Sequence, residues 1–349
     1  MRRIQMLFGA AAAAVVIVAG INVNPVSAAT QGPLTVADWQ ADIGQVSAVG
    51  SGCFQASFPA LVWHAAKCVT APERPLAPAT STSRISGPDT VGNGLDYSAV
   101  VSGKITKATG TFTGVSAKIS ETGKIGNVGS ARANEFTLQL NTQFFSGSPA
   151  CNKASVPADC LAWEQFVYET DVNQVYMQYW LIDYNTTCPS GWFTALGSGF
   201  IDCYTNSSAS TLSGAALTAK SLATVSFSGS AKSGGNDVVQ LVSGGHATMA
   251  TGKDTKVDLA PNWNTSEWGV YGDGGGGVAT FGANNTLEAV TKLKATSPSA
   301  LTCVEEGFTG ETNNLTLAAT PALGSESSPT LASKQTNGTA GTASCAVKA

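Results

Sequence analysis

Amides and aromatic rings alternate with aliphatic residues in three stretches of this chain: 136–145 (FTLQLNTQFF), 163–169 (WEQFVYE) and 175–184 (VYMQYWLIDY). Successive side chains of a β-strand point to opposite faces, so a period of two sorts each stretch into two sets. One set holds Gln139, Asn141 and Gln143 in the first stretch, Trp163, Gln165 and Val167 in the second, and Gln178, Trp180 and Tyr184 in the third. If the three strands are neighbours, these residues floor a groove of carboxamides and rings. Carboxamides both donate and accept, which suits a neutral glycan or an extended peptide. A dry core is not expected to place amides between its rings.

Many more short alternating runs follow one another from Val91 to about Ala295, among them LDYSAVVSG, KATGTFTGV, DVVQLVS, HATMAT, KVDLA, SEWGVY and TLEAVTKLKAT. Gly, Asn, Ser and Pro clusters separate them. That spacing predicts an all-β fold, a two-sheet antiparallel β-sandwich. Helical periodicity is scarce, and the best helical candidate is the short run 61–67. The chain divides into a signal peptide (1–28), an N-terminal disulfide segment with a Pro/Ser/Thr-rich linker or crossing strand (29–90), the sandwich (91–300) and a C-terminal hairpin stapled by a disulfide (301–349).

The signal peptide follows from Arg2 and Arg3, an apolar run and the small-residue site Val26-Ser27-Ala28. It makes the mature protein secreted, extracellular or periplasmic, with no membrane span. Without Arg2 and Arg3 the 19 basic residues fall to 17 against 23 acidic ones, a net charge of −6. That balance excludes nucleic acid, which needs a basic footprint. Only 12% of residues are charged, the profile of a secreted β-protein. A monomer is expected.

Eight cysteines in an exported chain favour disulfides. They fall into neighbouring couples, which gives the expected pairs Cys53–Cys68, Cys151–Cys160, Cys188–Cys203 and Cys303–Cys345. No couple has zinc-site spacing and the two histidines, His64 and His246, lie far apart, so no metal and no cofactor is expected.

Over roughly 95–295 the order of motifs resembles the glutamic peptidases, or eqolisins, secreted acid peptidases on a concanavalin-type double sheet. Asp96-Tyr97-Ser98, Ala108-Thr109-Gly110-Thr111-Phe112, the 136–145 strand, WEQFVYE, Gln178 to Tyr184 and Ser266-Glu267-Trp268-Gly269-Val270 are similar to successive family motifs. The resemblance puts Gln165 in the place of the catalytic glutamine. Where it calls for the catalytic glutamate, three residues after Trp268, this chain has Tyr271. A phenol with a pKa of about 10 cannot act as general base in acid.

The primary expectation is therefore a non-catalytic binding protein that holds a glycan or extended peptide on Gln139, Asn141, Trp163, Gln165, Gln178 and Trp180. One alternative is an acid peptidase with Gln165 as oxyanion donor and Glu267 as a relocated base. Another is a structural surface protein whose groove is closed by its own loops. Glu164 and Glu169 lie five apart, face opposite sides and read as solvated surface carboxylates. GDGGGG (272–277) reads as a wide hairpin loop over the groove.

Overall fold

The computed structural model describes residues 35–47, 50–79, 90–92, 94, 96–195, 201–298, 300–341 and 345. The expected signal peptide and residues 80–89 of the linker lie outside them. Among the described residues, two large antiparallel sheets of ten strands each, with eight and nine strands on their main paths, and a smaller four-stranded sheet make up the fold. The first runs Phe193–Ala195, Ile201–Asn206, Gln174–Asn185, Leu161–Glu169, Thr137–Thr142, Thr265–Tyr271, Tyr97–Val101, Leu301–Glu305. The second runs from His64–Ala66 and Cys53–Ser57 through His246–Lys253, Asn236–Ser243, Ser226–Ser230, Ile105–Thr113 and Thr286–Ala295 to Thr330–Thr336 and Thr316–Leu317. This is the antiparallel sandwich that the alternation predicts.

The core lies between the sheets. Leu138, Leu140, Phe166, Tyr168, Met177, Tyr179 and Trp268 of the first sheet meet Phe112, Phe227, Val239 and Leu241 of the second. Trp268 stacks on Phe112 and Phe227 at ring-centroid distances of 4.9 and 5.5 Å. It reaches them because Gly110 has no side chain: a Cβ there would collide with the indole. Gly229 admits the Phe166 ring in the same way. The opposite residues of the first sheet, Trp163, Gln165 and Val167 among them, therefore face outward from the sandwich.

All four expected disulfides are present. Two local expectations change. The helix is Val36–Ile43, not 61–67; Thr35 and Asp38 form a reciprocal capping box, and Trp39 and Ile43 pack on Ala56, Val242 and Ala247. The 61–67 stretch instead returns as His64–Ala66 alongside Cys53–Ser57, with Gln55 opposite His64, inside the loop closed by Cys53–Cys68. The KVDLA run is no strand: Asp254–Lys256 is a 3-10 turn. The buried Asp254 carboxylate accepts from Gly234 N and Ala260 N and curls the chain around itself.

Within 301–349, Thr316–Leu317 and Thr330–Thr336 pair antiparallel as a hairpin does, and the region reaches both sheets. Leu301–Glu305 pairs with Tyr97–Val101 in the first sheet, whereas Thr330–Thr336 pairs with Thr286–Ala295 in the second.

Candidate ligand-binding groove

Strand register brings the amides into one row. Asn206 lies opposite Gln178, Gln178 opposite Gln165, Gln165 opposite Asn141, and Asn141 opposite Glu267. Two residues along, Tyr204, Trp180 and Trp163 form an aromatic row, with Trp180 to Trp163 at 6.0 Å and Trp180 to Tyr204 at 5.2 Å.

The amides bond to one another. Gln165 Nε2 donates to Gln139 Oε1 at 3.2 Å, and Trp180 Nε1 is shared between Gln165 Oε1 (3.0 Å) and Gln178 Oε1 (3.1 Å). Asn141 Nδ2 donates to Glu267 Oε2 at 2.8 Å. Trp163 Nε1 donates to the Thr142 carbonyl.

Gln139, Asn141, Trp163, Gln165, Gln178 and Trp180 are thus all in one layer, and every one of them is fully buried. The layer is covered by the chain itself, as the structural alternative expects and an open groove does not. Residues 72–79 (PERPLAPA) cross the sheet face, and their main chain is met almost group by group. Asn206 Nδ2 donates to Pro72 O (2.8 Å), the Tyr204 hydroxyl to Glu73 O (3.2 Å) and Gln178 Nε2 to Arg74 O (2.9 Å). Gly275 N donates to Pro75 O at 3.1 Å. Leu76 N donates to Gln178 Oε1 (2.7 Å) and Ala77 N to Glu311 Oε1 (3.1 Å). Residues 77–79 then pair antiparallel with 308–310.

Two side chains of the segment are anchored. Leu76 is fully buried with Ala71, Val167, Tyr176 and Ala209; such burial contributes about 1.5–3 kcal/mol. Arg74 enters an acidic pocket, forked onto Asp171 at 2.9 and 2.8 Å and bonded to Glu169 at 2.6 Å. Phe308, on the loop that pairs with 77–79, closes the aromatic row against Trp163, Trp180 and Tyr204. The glycine loop is no hairpin: it joins strands of two different sheets and meets the covering segment through Gly275 N and Pro75 O. Gly274, Gly275 and Gly276 all have positive φ, a run of backbone that suits glycine alone.

The carboxylates behave differently from the sequence expectation. Glu164 and Glu169 are not solvated: both are fully buried, on opposite faces of their strand. Glu169 binds Arg74 and the Tyr176 hydroxyl. Glu164 points between the sheets; burial first, then the charges of Asp237 and Asp254, push its pKa well above the usual range. Asp237 is pushed up to about 8, by burial and then by Asp254.

Glu267 accepts from Asn141 and from Phe308 N, and burial followed by the charge of Asp96 raises it to about 8. Tyr271 is fully buried. Its hydroxyl donates to Asp96 Oδ2 at 2.7 Å, and its ring lies over Gly269, where a Cβ would come within 2.6 Å of the phenol.

Sequence reasoning missed Arg74, Leu76, Asp171, Asp273 and Glu311. One signal was present. Pro72, Pro75 and Pro78 are spaced by three, the period of a polyproline II helix, whose main chain bonds nothing internally and is free to be read by a partner.

No protein-family model matches the chain, and no curated protein matches it. Among solved structures, the chain is similar to a Scytalido-glutamic peptidase with a peptide-based transition-state analogue at 9% identity, covering 68% of this chain and 95% of that chain with a TM-score of 0.29. It is similar to SCP-B, a member of the eqolisin family of peptidases in complex with the tripeptide Ala-Ile-His, at 8% identity, 68% and 95% coverage and a TM-score of 0.30. A Scytalido-glutamic peptidase with a transition-state analogue inhibitor gives 8% identity, 70% and 97% coverage and a TM-score of 0.31. A likeness this distant assigns no role to any residue.

Proposed function

We propose that the protein is an exported, non-catalytic binding protein whose first sheet takes an extended, proline-rich peptide, and that its own residues 72–79 occupy that site until a ligand displaces them. The observation that carries this reading is the reading-out of the segment's main chain by Asn206, Tyr204, Gln178, Gly275, Glu311 and the 308–310 strand. Contacts to carbonyl and amide groups suit any peptide of the right shape. Docking of extended proline-rich segments on aromatic-lined grooves is an established recognition mode. A peptide suits this groove better than a glycan does, because Gln178 meets a carbonyl and an N–H two residues apart, at 74 and 76, and Asn206 meets the carbonyl two residues before them, at 72.

The four disulfides support an oxidising, exported setting. Against catalysis stands the state of Glu267. With its pKa raised to about 8 it carries a proton at acid and neutral pH and cannot accept one from water.

The test uses the full chain carrying Leu76→Asp, which puts a charge into the aliphatic pocket and expels the segment. A fluorescent peptide of residues 71–79 (APERPLAPA) is titrated against it and against the native chain. Saturable binding to the variant, weak binding to the native chain and no competition by neutral oligosaccharides are expected. A folded variant that binds no peptide would establish the segment as a fixed structural filling.

A further inference from the structure

The pocket beneath Arg74 gathers the carboxyl groups of Glu169, Asp171 and Asp273, with Glu135, held by Arg132, beside them. Glu169 is fixed from its far side by the Tyr176 hydroxyl at 2.6 Å, so its other oxygen is held toward the guanidinium. Asp171 takes both terminal nitrogens. Asp273 faces the same guanidinium at 3.5 Å, is fully buried, and neither of its carboxylate oxygens has a hydrogen-bond partner. Carboxylate oxygens of Glu135, Asp171 and Asp273 lie within 4.8 Å of one another. The pocket is thus an acceptor cluster with a guanidinium already seated in it, ion-paired to Glu169, Asp171 and Asp273.

We propose that this pocket is a specificity site for a guanidinium side chain, so that the groove selects, in trans, an extended proline-flanked segment with arginine two residues before a buried aliphatic residue. The proposal rests on the peptide-binding reading above and specifies its ligand. The register is set by Gln178, whose one carboxamide holds the main chain on both sides of Pro75. With the main chain fixed there, side chain 74 must enter the acidic pocket and side chain 76 the aliphatic one. A planar fork matches two carboxylates at once, whereas an ammonium offers a single point charge, so lysine is the weaker ligand. A neutral side chain leaves Glu169 buried without a counter-charge.

The experiment titrates the full-length Leu76→Asp chain, its fold checked by circular dichroism, with labelled APERPLAPA and with versions carrying lysine or norleucine in place of arginine. The arginine peptide is expected to bind at least about tenfold more tightly than the norleucine peptide, with lysine between them and the gap narrowing at high salt. Equal affinity for arginine and norleucine would overturn the specificity while leaving peptide binding intact. Failure of every peptide on a folded chain would overturn both.

If Leu76→Asp does not fold, Arg74→Met and Arg74→Lys in the otherwise native chain replace it, with amide hydrogen exchange read at Leu76 and Ala77. Exchange at least about tenfold faster in the methionine variant and partly restored by lysine is expected. Unchanged exchange would overturn the proposal.

Discussion

Gln178 accepts the Leu76 amide at 2.7 Å through the same carboxamide that donates to the carbonyl of Arg74. One side chain therefore supplies both halves of a peptide-pairing interaction that a neighbouring strand would otherwise provide. It also gives Trp180 Nε1 one of its two acceptors.

Replacing Gln178 by alanine strands the Leu76 N–H and the Arg74 carbonyl in a buried layer. A lost buried partner costs about 1–3 kcal/mol. Urea denaturation is expected to show a loss in that range. Hydrogen exchange is expected to place the change at residues 74–77 rather than across the sandwich.

Stability should fall as pH rises. Asp237 and Glu267 titrate at about 8 in the folded protein, and Glu164 lies well above its ordinary range. Unfolded carboxyls titrate near pH 4. Between those values the folded chain keeps protons that the unfolded chain has released, so each such group removes about 1.4 kcal/mol of stability per pH unit. For Asp237 and Glu267 the penalty is absent below about pH 4 and complete above about pH 8. The urea midpoint is expected to be higher at pH 4 than at pH 8, with a smaller difference in Asp237→Asn, whose amide needs no proton.

No peptidase activity is expected. Incubated with a denatured protein from pH 2 to pH 7, the native chain and Gln165→Ala should leave the substrate equally intact. Cleavage by the native chain that is lost in the variant would revive the peptidase alternative and make Glu267 the first carboxylate to mutate.

The Cys188–Cys203 disulfide ties down the strand that carries Tyr204 and Asn206, the residues that hold Glu73 and Pro72. Its sequence separation is 15, and a loop of that length is stabilised by about 3 kcal/mol in the chain-entropy view. The double serine variant should melt lower by a corresponding amount. It should also exchange the labelled 71–79 peptide faster than the native chain does.

Much of the architecture was legible because it is written in side chains. Period-two alternation marked the strands of both sheets, and neighbouring cysteines marked all four disulfides. The amide and aromatic face of Gln139, Gln165 and Trp180 could also be read. What covers that face could not, because residues 72–79 are held mainly through their backbone, which leaves little trace in sequence. The carboxylates failed for a related reason. Glu164 sits among apolar neighbours that predict burial for any other residue, yet charge alone argues for solvent. Only the three-dimensional structure shows the burial and the neighbouring Asp237 and Asp254 that raise its pKa.

The indole of Trp268, seated where Gly110 leaves no side chain, acts as a key between the two layers. Phe166 at Gly229 is a second one. Layers keyed at two points cannot slide past each other without unseating a ring. Shear of the sandwich is therefore closed as a route for exposing the outer face of the first sheet. Any uncovering must come from the covering segments themselves, by peeling of 72–79 away from a floor that stays rigid beneath it.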